Sequence, residues 1–170
     1  IVRLVGSEMC IRDRIKIFTP DLSNNFKEAN NQITKLIEEN EKDFVFMGSS
    51  LGGYYANFFG SINKSKVILI NPAIPPLKGF EEYLGENENY STGEKFIVTK
   101  DDIKFLRSLV TKKFNNQKNT LVFLESGDEV LNYVEAAKYF LGSNIDITYG
   151  GSHSYAVSYT HLTLPTTDRV

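Results

Sequence analysis

"FVFMGSSLGGYYANFF", residues 44–59, places a short apolar run before two serines that lie among glycines, and aromatic residues follow. A continuous apolar run of this length is typical of a strand that is covered on both faces of a parallel sheet. The aromatic residues recur at helical spacing: Tyr54, Tyr55, Phe58 and Phe59. The stretch therefore predicts a strand, a tight turn and a helix, and it raises the question whether one serine is a catalytic nucleophile.

Similar β-rich runs recur along the chain. They predict five strands, at 15–18, 44–47, 66–70, 120–124 and 145–149. Helical patterns lie between them, at 26–37, 54–59 and 134–141. The first of these helices is expected to start at a cap region formed by Ser23-Asn24. Strand–helix alternation predicts an α/β fold with a doubly wound, mostly parallel sheet.

The segment 71–119 is too long for a simple connection between two strands. It contains three prolines and a polar, glycine-spaced middle, with a helical pattern at 101–113. Two interpretations stay open: a lid or pocket wall above the carboxyl edge of the sheet, or a plain crossover with a surface loop. Since no internal repeat is found, a single domain is expected over 15–156.

Composition argues against several kinds of partner. The 170 residues carry a formal net charge of −2, which gives no basic face for nucleic acid or an anionic membrane. No apolar run approaches the ~20 residues of a membrane span. The single cysteine, Cys10, cannot form an internal disulfide, and no Cys/His cluster suggests a metal site. These features predict a cytoplasmic protein without a metal, and they leave the oligomeric state open.

Gly48-Ser49-Ser50-Leu51-Gly52 matches the pattern G-x-S-x-G at a strand-to-helix junction. In that setting the central serine lies on a strained turn that exposes its hydroxyl, so Ser50 rather than Ser49 is the predicted nucleophile. Gly48 and Gly52 are expected to prevent side-chain clashes within the turn. The backbone N–H of Leu51 is predicted to donate to the oxyanion. The alternative is a packing turn with a capping serine.

A serine nucleophile needs a base, and the base needs an acid that fixes its tautomer. Of the two histidines, His153 follows the last predicted strand, whereas His161 lies in the C-terminal tail. Asp128 follows the strand before it, with Glu129 as the neighbouring alternative for the acid. The order Ser50, Asp128, His153 is that of the α/β-hydrolases. The alternatives are an exposed loop histidine and an aspartate that only caps a helix.

With these residues the chain resembles the YqiA/YcfP-like family of small bacterial esterases in the α/β-hydrolase superfamily. The matching pieces are "GSSLGGYYA", "NPAIPP", "YLGENENYSTGEKF", "SGDEVLNY" and "GGSHSY". The resemblance implies a serine hydrolase that cleaves small carboxylic esters or thioesters without a cofactor. It implies Ser50 as nucleophile, Asp128 as acid and His153 as base.

Both ends of the chain depart from the resemblance. The family's upstream His-Gly-type loop, which supplies a second oxyanion donor, has no counterpart before residue 15, and no helical pattern follows His153. "SEMCIRDR" and "VSYTHLTLPTT" resemble translated sequencing-adapter DNA, so 1–14 and 157–170 are expected to be non-native ends of a truncated domain. The chain as given is therefore expected to be weakly active or inactive; equal turnover by a chain with a restored N-terminus would contradict this.

Two other functions are compatible with parts of the pattern. The main alternative is a non-catalytic binding or interaction module on a degenerate or truncated hydrolase scaffold, because fold alone does not define function. The complete set of serine, aspartate and histidine argues against it. Dinucleotide binding is disfavoured because Gly48, Gly52 and Gly53 do not fit G-x-G-x-x-G.

Overall fold

The computed structural model describes residues 16–40, 43–89, 92–110 and 113–155. In chain order, the helices and strands are α1 (Phe26–Glu38), β1 (Val45–Ser49), α2 (Ser50–Asn63), β2 (Lys66–Pro72), β3 (Gly85–Glu88), β4 (Lys95–Val98), α3 (Lys100–Ser108), β5 (Thr120–Glu125), α4 (Tyr133–Tyr139) and β6 (Asn144–Thr148). None of the helices in these described ranges is long and apolar enough to cross a membrane.

The chain forms two compact units. The sheet unit comprises the described residues of 45–74 and 111–170. The hairpin unit comprises those of 1–44 and 75–110, so most of the predicted excursion at 71–119 falls in the hairpin unit. The predicted lid or pocket-wall role of that excursion stays a prediction.

The sheet unit is built on four parallel strands in the order β1-β2-β5-β6. Side chains of β2 and β5 alternate between buried and half-buried positions, which is the period of two expected for a strand. The buried face is covered by side chains of α2 and α4. The resulting core comprises Ala56, Val67, Leu69, Phe114, Val122, Leu124, Ala136 and Phe140. Because all four strands run parallel, their carboxyl ends and the loops that follow them meet at one edge.

The hairpin unit contains α1, α3 and the antiparallel pair β3–β4. Helix α1 begins after Asn25, whose side chain accepts hydrogen bonds from the N–H groups of Lys27 and Glu28. Helix α3 begins with a reciprocal capping box between Thr99 and Asp102. Each helix therefore has at least one N–H of its first turn satisfied by a side chain, which stabilises a helix start.

Several predicted elements differ from the observed ones. The strand predicted at 15–18 is wrong for residues 16–18, because they pair with no strand and Ile17 is 70% exposed; residue 15 lies outside the described residues. The cap of α1 is Asn25 rather than Ser23-Asn24. The helix predicted at 101–113 ends at Ser108. The predicted non-native ends, 1–14 and 157–170, lie outside the described residues.

Candidate active site

Ser50 lies at the turn between β1 and α2 and has a left-handed backbone conformation, with φ of 51°. This conformation costs an L-residue about 1–2 kcal/mol, so the surrounding structure must hold it in place. The carbonyl oxygen of Ser50 accepts a hydrogen bond of 3.0 Å from the N–H of Ala73, which follows β2. Such a strained, externally held turn is typical of a serine whose hydroxyl is presented above a sheet.

The three residues predicted as nucleophile, base and acid form one hydrogen-bonded chain. His153 Nε2 lies 2.9 Å from Ser50 Oγ, and His153 Nδ1 lies 2.9 Å from Asp128 Oδ2. The side chain of Asp128 is 2% exposed and that of His153 is 22% exposed, so the histidine keeps access to solvent. An ionised carboxylate only accepts hydrogen bonds, so Asp128 places the ring proton on Nδ1. The lone pair of Nε2 is then free to accept the Ser50 proton.

The carboxyl group of Asp128 is held by the backbone of its own loop. Its Oδ1 accepts hydrogen bonds from the N–H groups of Val130 at 2.8 Å and Leu131 at 2.7 Å, which leaves Oδ2 for His153. The alternative role as a helix cap is wrong, because Asn132 caps α4. One oxygen of Asp128 is therefore held by the loop while the other faces the imidazole.

Glu129, the alternative acid, contacts the backbone of His153 rather than its ring. Its Oε2 accepts a hydrogen bond of 3.0 Å from the His153 N–H. This hydrogen bond is the main cause that lowers the pKa of Glu129 below its ordinary value. Asp128 thus contacts the ring of the histidine and Glu129 contacts its main chain, so only Asp128 is placed to set the tautomer.

Two buried polar residues beside the base were not predicted as part of the site. Glu125 is the last residue of β5, and Asn71 lies near the end of β2. Both hydrogen-bond to the loop that carries His153. The sequence signal for each is a polar residue directly after an apolar run, as in "LVFLE" and "VILIN". The two runs form β5 and β2, which are neighbours in the sheet.

The loops that carry Asp128 and His153 are joined by backbone hydrogen bonds. Ser126 N–H donates to the carbonyl of Thr148 over 3.0 Å, and Gly127 N–H donates to that of Gly150 over 2.8 Å. The Gly150 N–H donates in return to Ser126 Oγ over 2.9 Å. These bonds continue the β5–β6 pairing beyond the strands, so the two loops are held side by side.

Leu51 follows Ser50 as the second residue of α2. Its N–H lies in the first turn of the helix, where backbone N–H groups have no acceptor within the helix. The dipole of the helix also favours negative charge at this end. These features are compatible with the predicted oxyanion donor. The expected absence of a second donor concerns residues before 15, which lie outside the described residues.

The two glycines that flank the serines have different surroundings. A Cβ at Gly48 would lie 2.3 Å from the carbonyl oxygen of Gly52, a clash that only a movement of the backbone could relieve. A Cβ at Gly52 would meet no heavy atom within 4 Å. The surroundings of Gly48 are therefore compatible with the predicted steric role, whereas Gly52 lies on the open side of α2 and has room for a Cβ.

Alanine substitutions at these glycines should change stability in opposite directions. Gly48→Ala is expected to lower the free energy of unfolding by about 1–3 kcal/mol, the usual cost of an overpacked site. Gly52→Ala is expected to raise it by about 0.5–1 kcal/mol, because alanine favours a helix over glycine. Denaturant unfolding of both variants beside the unchanged chain measures the difference. A shift of the same sign in both variants would contradict the described turn.

Near the acid lies a cavity of about 400 Å³. It is lined by Ser126, Asp128, Glu129, Val130, Leu131, Asn132, Tyr133 and Val134. The cavity offers polar groups from the acid loop and apolar groups from the start of α4. Neither Ser50 nor His153 is among its lining residues, so the cavity lies beside Asp128 and is not the place where Ser50 Oγ would meet a substrate.

The parallel sheet, the left-handed turn at Ser50 and the loops that carry Asp128 and His153 are those of an α/β-hydrolase fold. Solved structures share this fold. Est1E from Butyrivibrio proteoclasticus is similar with a TM-score of 0.58 and 16% identity, over 78% of this chain and 64% of that one. The mouse alpha/beta hydrolase domain-containing protein 10 has a TM-score of 0.54 and 17% identity, over 76% of this chain and 62% of that one. The chain thus spans less than two thirds of either structure.

The family can be named from the sequence as well. The model of UPF0227, described as an uncharacterised protein family, matches residues 9–164. The chain belongs to this family, which is the YqiA/YcfP family that its motifs resemble.

Proposed function

We propose that this chain is a serine esterase that hydrolyses small carboxylic esters or thioesters through an acyl-enzyme on Ser50. The observation that carries the proposal is the chain of two 2.9 Å contacts from Ser50 Oγ through His153 to Asp128. A nucleophile, a base within hydrogen-bond reach and a group that orients the base form the arrangement that activates a serine hydroxyl.

The proposed reaction has two halves. In the first, His153 Nε2 takes the proton of Ser50 Oγ as that oxygen attacks the ester carbonyl carbon. His153 then gives the proton to the departing alcohol or thiol, and the acyl group stays on Ser50. In the second half, His153 takes a proton from water, whose oxygen attacks the acyl carbon, and the proton returns to Ser50 Oγ as the carboxylic acid leaves.

Two further groups support the charges that develop in this reaction. Asp128 Oδ2 accepts the Nδ1–H of His153 and stabilises the imidazolium that forms when the ring takes a second proton. The N–H of Leu51 donates to the oxyanion of the tetrahedral intermediate, a contribution of roughly 3 kcal/mol for one donor. Every step is a proton transfer or an acyl transfer, so the proposal includes no cofactor.

The proposed substrates are small-molecule esters, which is the substrate class that the resemblance to small bacterial esterases implies. Est1E, one of the structures with the same fold, was solved with bound ferulic acid. A cytoplasmic location without nucleic-acid or membrane partners is also part of the proposal. It rests on the single cysteine and the net charge of −2.

A fluorophosphonate probe tests the proposal, because it reacts covalently with an activated serine hydroxyl. The full chain is expected to be labelled at Ser50, as mapped by mass spectrometry of its peptides. Ser50→Ala and His153→Ala are expected to lose the label, the first by removing the reacting oxygen and the second by removing the base. A folded chain that is not labelled, or one labelled elsewhere, would favour a non-catalytic binding module.

A further inference from the structure

Two buried polar side chains lie at the carboxyl ends of neighbouring strands. Glu125 is 0% exposed and Asn71 is 2% exposed, and the Glu125 N–H donates to Asn71 Oδ1 over 2.9 Å. Among the described residues, Glu125 Oε1 has no hydrogen-bond partner. An unsatisfied buried oxygen costs about 1–3 kcal/mol, and an apolar side chain in its place avoids that cost. The carboxyl group therefore calls for an explanation other than packing.

Both side chains bind the loop that carries the base. Glu125 Oε2 accepts a hydrogen bond of 2.7 Å from the Ser152 N–H. Asn71 Nδ2 donates to the carbonyl oxygen of Ser152 over 3.2 Å and to that of His153 over 3.4 Å. The main chain on both sides of the histidine Cα is thus tied to the sheet by side chains from two different strands.

The base loop depends on such ties because of its conformation. Gly150 and Gly151 both have positive φ, 87° and 77°. Glycine imposes little conformational preference of its own, so neighbouring groups must fix the path of the chain. A Cβ at Gly151 would lie 2.2 Å from Glu125 Cδ, which shows that the loop backbone packs directly on the buried carboxyl group.

The segment that carries Asn71 also holds the nucleophile. Pro72 forms a parallel bridge with Ser50, and the Ala73 N–H donates to the Ser50 carbonyl over 3.0 Å. Residues 71–73 therefore contact the backbone of Ser50 on one side and the loop of His153 on the other. A displacement of this segment relative to β5 changes the 2.9 Å distance between Ser50 Oγ and His153 Nε2.

We propose that Asn71 and Glu125 are positioning residues that set the place of His153 between Ser50 and Asp128. This inference rests on the proposed function for its effect on rate, but its structural content is the geometry of the histidine. Misplacement of a catalytic group by about 1 Å lowers a rate by about 10²-fold. Loss of either tie is accordingly expected to lower kcat by that factor while KM changes little.

The test uses two variants of the full chain, each of which removes the hydrogen bonds of one of these side chains to the loop of His153. Glu125→Met keeps the length of the side chain and removes the acceptor of the Ser152 N–H. Asn71→Gly removes the amide group and permits the left-handed φ of 38° that Asn71 adopts. Glu125→Gln retains an acceptor oxygen and is expected to stay within a few-fold of the unchanged chain. If Glu125→Met does not fold, Asn71→Gly carries the test.

Asn116 provides a matched control at the opposite edge of the sheet. It is also 2% exposed, and its Nδ2 donates to the carbonyl oxygens of Gly60 at 3.1 Å and Ser65 at 2.9 Å. Asn116→Ala therefore removes the same kind of buried hydrogen bonds without touching the base loop. It is expected to lower stability and to leave the histidine geometry unchanged.

The main readout is the low-field ¹H NMR signal of His153 Nδ1–H, assigned by its absence in His153→Ala, together with kcat and KM. Glu125→Met and Asn71→Gly are expected to lose this signal and to lower kcat about 10²-fold. Folded variants that keep the signal and the rate would overturn the inference, as would an equal loss in Asn116→Ala. If the unchanged chain shows the signal but is not labelled by fluorophosphonate, the proposed function fails. The loss or retention of the signal in Glu125→Met and Asn71→Gly then still tests whether these two residues position His153.

Discussion

Replacing Ser50 with alanine is expected to abolish the ester hydrolysis of the chain, with kcat falling to the uncatalysed background however weak the activity of the unchanged chain is. The oxygen that forms the acyl-enzyme is then absent, and the base at 2.9 Å has no hydroxyl to deprotonate. Binding of the ester is expected to persist, because the substitution removes a single oxygen atom and leaves the neighbouring residues unchanged. The loss is measured as the steady-state rate of hydrolysis of p-nitrophenyl esters, after the rate in buffer alone has been subtracted.

Ser49 is the matched control for this substitution. It is also a serine, adjacent in the chain, and it stands at the N-cap position of α2 without a side-chain hydrogen bond to the helix. Ser49→Ala is therefore expected to keep both activity and stability close to those of the unchanged chain. A large loss of activity in Ser49→Ala with retention in Ser50→Ala would reverse the assignment of the nucleophile.

Asp128→Asn is expected to lower kcat about 10⁴-fold although it changes the shape of the side chain very little. The two N–H groups of Val130 and Leu131 require an oxygen at the Oδ1 position. The amide oxygen must therefore occupy that position, which turns the NH₂ group toward His153 Nδ1. The imidazole then carries its proton on Nε2, and a protonated Nε2 cannot accept the proton of Ser50.

Glu129→Gln is the control for the asparagine substitution. Glutamine at this position retains an acceptor for the His153 N–H and removes a neighbouring negative charge without reaching the ring. It is expected to change kcat only several-fold. The same kinetic assay compares the two variants, and a greater loss in Glu129→Gln than in Asp128→Asn would assign the acid to Glu129.

Much of this arrangement could be predicted from the sequence because the decisive signals are local. The apolar runs before Gly48 and before Glu125 are strands, and the chain order of Ser50, Asp128 and His153 matches the order of loops along a parallel sheet. Carboxyl ends of parallel strands meet at one edge, so residues far apart in the chain come together there. The contact between Ser50 and His153 follows from that rule.

Other features depend on tertiary contacts that no local pattern reveals. The β3–β4 hairpin contains "GENE" at Gly85–Glu88, a polar sequence that forms a strand only through its pairing with β4. Conversely, residues 16–18, which include the apolar Ile17 and Phe18, pair with none of the strands in the described part of the chain. The burial of Asn71 and Glu125 could not be predicted either, because a polar residue that follows an apolar run is ordinarily exposed.

Trapping the acyl group during turnover tests whether Ser50 forms the covalent intermediate. The chain is mixed with a p-nitrophenyl ester, quenched in acid while p-nitrophenol is being released, and digested for peptide mapping by mass spectrometry. The acyl group is expected on the peptide that contains Ser50, specifically on that residue, and it is expected to be absent in His153→Ala. An acyl group on another residue, or release of p-nitrophenol with no acylated peptide, would contradict this expectation.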